Sequence, residues 1–446
     1  MYIYNCHTHV FNMDCAPDRF LNGYAGKAGA WVLHKTLRVP LLKHAVRWAA
    51  RRAPFAKKQA AFLHIGTEMS QQSIFEDRLT PHYPSGTRFV VLTLNMDLMG
   101  AGNALHNYET QLWEVLDLRR RNPDTCLPFL CVDPRMGGAR WNRNFVEKWL
   151  NRGFVGLKMY PALGFYPFDD RLSEVYALAE ERALPIMVHC SRGGIYYRGT
   201  ITPPLRSPAL PQAGVVRQQL AYLQQQALHQ QPFTGLYGQS FPLHARKPRL
   251  GATPLGEAES ANDFCDLFLD PRAYDLVLAQ WPRLKLCLAH YAGGREIDAG
   301  TAPGVDPQDL SNWYHGIRWL MRKYPNVYTD VSYTLFEDKR FPIILRDLQD
   351  PLYQNRLLFG TDFFMAEQDS TEADLAVKLH EYLVTNAPET WQRLATDNPA
   401  CYLHSSNYTP VEHIAEAPLR CKSHYDPTTN SPGLNPLWQP QAASGS

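Results

Sequence analysis

The chain reads as an α/β protein, a (β/α)8 TIM barrel with two large insertions after strands 1 and 5 and an irregular C-terminal tail. Three observations carry that expectation. Short runs of β-branched and aromatic residues alternate with longer segments of helical period along most of the 446 residues. The strand-like runs number eight, at 2–9, 89–96, 126–132, 154–160, 185–190, 285–291, 326–332 and 355–361. Two stretches, about 17–80 and about 194–262, do not fit the repeat; without them the first 404 residues shrink to roughly 270, close to the ~250 of such a barrel.

Helices are expected between the strands at 108–121, 142–151, 172–182, 263–280, 312–323, 342–347 and 371–383. Leu172, Val175, Tyr176 and Ala179 recur at the spacing of one buried helical face. The sequences Arg121-Asn122-Pro123 and Lys323-Tyr324-Pro325 end their helices, because proline lacks the N–H and restricts the residue before it. Both insertions follow strands, so they are expected on the C-terminal face as lids. Residues 405–446, dense in Pro, Asn and Ser and without a period, read as an extended surface tail behind one barrel domain, 1–404.

Composition bounds the function. With 45% hydrophobic and 20% charged residues the chain can bury a large core, which excludes disorder as its overall state. No apolar run reaches the ~18–20 residues of a membrane span, and the first residues lack a signal region, so no transmembrane segment and a cytoplasmic location are expected. Nine scattered cysteines without CxxC spacing are expected as reduced thiols. A formal charge of +2 argues against a protein built to hold nucleic acid. No GxGxxG or GxxxxGK[ST] loop points to nucleotide chemistry.

Chemistry on such a barrel comes from the C-terminal ends of different strands. Strand 1 finishes Asn5-Cys6-His7-Thr8-His9, strand 5 Met187-Val188-His189-Cys190, strand 6 Leu288-Ala289-His290-Tyr291 and strand 8 Phe359-Gly360-Thr361-Asp362. Alternation points His7 and His9 the same way, able to grip one ion, and turns Cys6 and Cys190 away from the barrel interior. A lone buried histidine is usually a hydrogen-bonded core residue. The His-x-His pair, two further strand-end histidines and a strand-end aspartate together argue instead for a divalent metal such as zinc.

With Gly153-Phe154-Val155-Gly156-Leu157-Lys158-Met159-Tyr160-Pro161, Leu184-Pro185-Ile186-Met187-Val188-His189 and Leu358-Phe359-Gly360-Thr361-Asp362, these segments resemble the amidohydrolase superfamily. The resemblance is closest to its amidohydrolase-related branch, which includes aminocarboxymuconate-semialdehyde decarboxylase and related decarboxylases, hydratases and hydrolases. It runs from Tyr2 to about Leu403 outside the insertions. It implies that His7, His9, His189 and Asp362 hold one catalytic divalent ion, expected to be zinc, which lowers the pKa of water from about 16 toward 7. His290 matches the strand-6 histidine that activates this water or completes a second metal site, and Asp362 could share the proton transfer. Lys158 on strand 4 keeps three readings: carboxylated and bridging two ions as in binuclear relatives, a point charge for a substrate carboxylate, or a plain strand-end lysine. Asp133 and Asp330 read either as partners that orient ligand imidazoles or as turn caps. Arg192, Tyr160 and Tyr291 lie where substrate could be held, or else pack loops.

The near-neutral total charge hides opposed parts. From Arg19 to Lys58 ten cations meet no acid, and Leu41, Leu42, Ala45, Val46 and Ala49 form an apolar stripe opposite Lys43, Arg47 and Arg51. This pattern fits a lid packing on the barrel or a helix on a membrane surface. The second insertion holds six cations against Glu257 and Glu259. Basic lids above a metal site would concentrate an anionic small-molecule substrate, and a homodimer through them is compatible with the sequence. The expected activity is metal-dependent hydrolysis of an amide, ester or lactone. The alternative on the same site is nonoxidative decarboxylation of an unsaturated or aromatic carboxylic acid; a catalytically silent binding barrel is the third reading.

Overall fold

The computed structural model describes residues 3–20, 69–200, 202–206, 265–334, 337–363 and 372–410. Eight parallel strands follow one another around a barrel: β1 (Tyr4–Thr8), β2 (Arg88–Leu92), β3 (Cys126–Cys131), β4 (Gly156–Met159), β5 (Pro185–Val188), β6 (Lys285–Leu288), β7 (Val327–Asp330) and β8 (Leu357–Leu358). The ring returns from β8 to β1 through Cys6 N to Phe359 O (2.8 Å), Asp362 N to His7 O (2.8 Å) and a parallel bridge between Thr8 and Phe363. All eight strand-like runs therefore form strands of the expected (β/α)8 barrel. Every ladder stops short of its run's C-terminal end, so His189, His290 and Asp362 stand beyond the last residue of β5, β6 and β8.

Two apolar layers hold this ring. Outside it, Leu112, Val115 and Leu116 of α1 (Tyr108–Arg121) join Phe89, Val91 and Leu130 in the larger core. Inside it, Tyr4, Val90, Leu92, Phe129, Met187, Cys287 and Leu358 fill the axis, with Tyr402 and Leu403 in the same cluster. The barrel is thus a plugged core, and polar chemistry is confined to the mouth above the plug. Helix α1 begins where the Asn107 side chain accepts from Thr110 N (2.9 Å) and ends on Arg119, Arg120 and Arg121, which complement the negative end of its dipole. Later helices are α2 (Ala139–Leu150), α3 (Ser173–Glu181), α4 (Tyr274–Gln280), α5 (Gly294–Gly300), α6 (Trp313–Lys323), α7 (Phe341–Gln349) and α8 (Glu372–Asn386).

Three expectations are corrected. The helix expected over 263–280 is broken into turns at Asp266–Leu269 and Pro271–Ala273 before α4, because Pro271 offers no N–H and the Asp270 carboxylate takes Arg272 N instead (2.9 Å). The end of the first insertion is not a lid. Its helical turns at Gln71–Ser73 and Ile74–Leu79 run beside α1, where Gln71 Nε2 donates to Glu114 (2.5 Å), Asn122 Nδ2 donates to Glu76 (2.9 Å) and Phe75 meets Phe89 edge-on. The first residues of the expected tail are packed: Ser406 N donates to Arg182 O (3.0 Å), and Tyr408 packs on the inner cluster. The basic stripe of the first insertion, most of the second insertion and residues 411–446 lie outside the described residues. Among those described, no helix is long and apolar enough to cross a membrane, and every cysteine is a free thiol.

Candidate functional site

The site begins with an irregularity in β1. Asn5 pairs with Phe89 but Thr8 with Val91, so one extra residue is accommodated between them. The bulge resets the alternation. His7 and His9 reach the mouth, yet Cys6 also faces inward, joining Met187, Cys287 and Leu358 in the inner cluster. This corrects the expectation that Cys6 turns away; Cys190 does face outward, its Sγ 3.6 Å from Leu269 O.

Each imidazole of the pair is fixed from behind. His7 Nδ1 lies 2.9 Å from Asp330 Oδ2, and His9 Nδ1 lies 3.0 Å from Leu92 O. A carboxylate and a carbonyl can only accept, so both rings carry their proton on Nδ1 and offer a lone pair at Nε2. Those two Nε2 atoms stand 3.6 Å and 3.5 Å from the same oxygen, Asp362 Oδ1. Asp362 is held in the left-handed region at φ 62°. His290, Tyr291 and Ala292 do the same in succession at 65°, 47° and 68°, an arrangement costly for residues with a Cβ. Strain of this kind survives only where surrounding bonds enforce it. Here Asp330 Oδ1 accepts from His290 N and Ser332 N at 3.0 Å each.

Asp330 thus fits both readings, orienting a histidine and capping the turn beyond β7. Asp133 is a cap only, accepting from Arg135 N (2.9 Å) and pairing with its guanidinium. Ser332 is a site residue that sequence reasoning misses. Its Oγ donates to Asp330 and stands 3.2 Å from His7 Nδ1 and 2.9 Å from His290 Nδ1, but no motif marks it. The only cue is its place two residues beyond the strand-end Asp330.

His189 and His290 form a second imidazole pair, with His189 Nδ1 3.0 Å from His290 Nε2. His189 Nε2 faces Gly193 O at 3.4 Å, which leaves Nδ1 as the acceptor and His290 Nε2 as the donor. The Tyr160 ring stacks on His189 with centroids 4.2 Å apart, and its hydroxyl accepts from Ile195 N (3.0 Å). Donor atoms of His7, His9 and Asp362 lie within 4.8 Å of one another, as do those of His7, His290 and Asp330. His189 belongs to neither group, unlike the expected four-ligand set, because Nδ1 is turned to His290.

Burial sets the charge state of this ensemble. It lowers His9 and His189 to about 3 and pushes His7 and His290 well below the ordinary histidine value. Lys158 Nζ, fully buried 3.5 Å from His7 Nε2, is lowered to about 8 by burial, against the upward pull of Asp362 and Asp330. It does not line the cavity. That cavity, about 170 Å³, is bounded by His9, His189, His290 and Asp362 with Phe11, Leu94, Tyr160 and Tyr333. Arg192 also borders it, but its Nε is 2.7 Å from Glu296 and its guanidinium lies 3.9 Å over the Trp313 ring. Tyr291 is not brought to the cavity; its hydroxyl donates to Asp347 (2.7 Å) behind the β6 turn.

A buried group of two lone-pair imidazoles and one carboxylate suits a divalent cation, since without one the carboxylate opposes two unprotonated nitrogens. The family described as Amidohydrolase matches residues 5–401. No curated protein matches the sequence. A 5-carboxyvanillate decarboxylase of Novosphingobium aromaticivorans, solved with manganese and 4-hydroxy-3-methoxy-5-nitrobenzoic acid, is 12% identical with a TM-score of 0.50, over 90% of this chain and 96% of that one. An uncharacterized TIM-barrel protein of Bordetella bronchiseptica is 14% identical with a TM-score of 0.43, over 90% and 98%. At these identities the first likeness shows the fold alone. The family match, which spans almost the whole chain, shows that this protein belongs to the amidohydrolase family.

Proposed function

We propose that the chain is a metal-dependent hydrolase of a small, anionic amide, ester or lactone. The observation that carries this reading is the convergence of His7 Nε2 and His9 Nε2, both free of protons, on Asp362 Oδ1 beside a cavity. His7, His9 and Asp362 would hold the ion, and His189 becomes a fourth ligand only by turning Nδ1 from His290 to the ion; zinc is the ion we expect. When bound, it supplies Lewis acidity that polarises a carbonyl and eases loss of a proton from water. His290 lines the cavity and would carry the moving proton: with His189 turned to the ion, the His290 proton sits on Nδ1, where Ser332 Oγ accepts it, and Nε2 is left to take a proton from water and return it to the leaving group. Lys158, buried beside His7 and away from the cavity, serves the ligand shell rather than the substrate.

The second reading is decarboxylation of an aromatic acid. Phe11, Tyr160 and Tyr333 around a small cavity favour a planar substrate, and the same ligands accept manganese, the ion in the decarboxylase structure. Turnover in isotopically labelled water separates the two. With the label on the water oxygen, labelled oxygen in the product carboxylate is the expected outcome; carbon dioxide release with no labelled oxygen in the remaining organic product would replace hydrolysis by decarboxylation. His9→Ala is expected to lose both bound metal and activity, and full activity in that variant would sink both readings.

A further inference from the structure

A second cavity, about 210 Å³, lies away from the barrel mouth, between the end of α5, the length of α6 and the last turn of α7. Three arginines line it, Arg318, Arg322 and Arg346, together with Tyr314 and His315, and no acid among the described residues does. Asp347, fully buried, pairs with both Arg318 (2.6 Å) and Arg346 (2.9 Å). One negative charge is thus shared by two guanidiniums. It is also the acceptor for the Tyr291 hydroxyl (2.7 Å) and the Tyr314 hydroxyl (3.2 Å). Arg322 has no ion pair or hydrogen bond among the described residues.

An arginine in the last turn of a helix complements the dipole wherever its side chain points. That accounts for Arg322 on α6 and Arg346 on α7 individually, but not for their meeting with Arg318 around one hollow. Among the described residues Asp347 is the one carboxylate paired with any of the three guanidiniums. Guanidinium forks match planar or tetrahedral oxyanions, and Arg318 and Arg346 are held in place by Asp347 and by Tyr314, which takes Arg346 Nη2 at 2.5 Å. The hollow is smaller than the ~300–1,000 Å³ of sites for drug-sized molecules, so its ligand is small. His315 is not available to it, both ring nitrogens being directed at the Gly300 and Asp309 carbonyl oxygens (2.9 and 3.2 Å).

We propose that this cavity is a binding site for a small dianionic oxyanion, a phosphate or a short dicarboxylate, separate from the metal centre. Arg322 supplies the uncommitted charge, and Arg318 and Arg346 supply oriented donors. Inorganic phosphate and succinate are the probes. Each is titrated calorimetrically into the full-length protein at constant ionic strength, with chloride making up the balance.

Saturable binding of at least one of them, near one equivalent per chain, is the expected result. Arg322→Ala is expected to weaken it by about tenfold and Arg322→Glu to abolish it, the size expected for loss of a charged hydrogen bond. Arg322 is partner-free among the described residues, so neither change removes a bond that holds α6. His7→Ala, which empties the proposed metal centre, is expected to leave the binding intact. No saturable binding of either anion, undiminished binding in Arg322→Glu, or loss of binding in His7→Ala would each overturn the proposal.

Discussion

At His7 the deciding contact lies behind the ring. Asp330 accepts the Nδ1 proton at 2.9 Å, and this keeps Nε2 a lone-pair donor beside Asp362. Asp330→Asn keeps the shape but can no longer satisfy all its donors. An amide oriented to accept from His290 N and Ser332 N through its oxygen presents its NH2 to His7, donor against donor. The ring escapes by moving its proton to Nε2, the atom needed for the ion. Metal affinity is therefore expected to fall by about 10–100-fold and stability by about 1–3 kcal/mol, measured by chelator competition and urea unfolding. Unchanged affinity would show that Asp330 is only a turn cap.

Among elements, β1 and β8 set the site's tolerances because they meet without a side chain between them. A Cβ on Gly360 would come 2.8 Å from His7 Cβ and 3.2 Å from His7 N, so glycine here is a requirement of close approach. Gly360→Ala is expected to cost about 1–3 kcal/mol by overpacking and to lower bound metal by displacing His7, read from unfolding midpoints and from elemental analysis of the purified variant. Full metal occupancy in that variant would show that the β1 bulge can absorb the shift. The same bulge explains where period-two reasoning failed. Alternation places His7 and His9 together correctly, but one inserted residue leaves Cys6 facing inward, and an insertion in the pairing has no signature in a single strand's sequence.

For the whole molecule, four neutral imidazoles buried at one mouth make folding sensitive to acid. His9 and His189 are lowered to about 3 in the folded state, His7 and His290 are lowered too, and the unfolded value is ~6.5. Between those values the unfolded chain binds more protons. Their contribution is complete above pH ~6.5 and is lost progressively as pH falls toward 3, at up to ~1.4 kcal/mol per pH unit for each ring. Lys158, lowered to about 8, acts with the same sign at higher pH: its burial penalty eases from about 8 upward to its unfolded value of ~10.4. In chelator-treated protein the urea midpoint is expected to drop steeply between pH 6.5 and 5. A level profile there would mean that the mouth opens and hydrates these rings.

The order of strands, the barrel they build and the residues at their ends were determined by the sequence itself, because each depends on local period and on short-range rules of connection. His7, His9, His189, His290 and Asp362 are legible as candidates for that reason. Their grouping is not. That His189 turns to His290 rather than to His7 and His9, that Arg192 gives its charge to Glu296, that Tyr291 bonds Asp347 behind the turn and that Ser332 joins two histidines are contacts between segments distant in the chain. Only the tertiary structure decided them, since side-chain direction at a strand end is set by bulges, left-handed turns and neighbours from other strands rather than by the residues on either side.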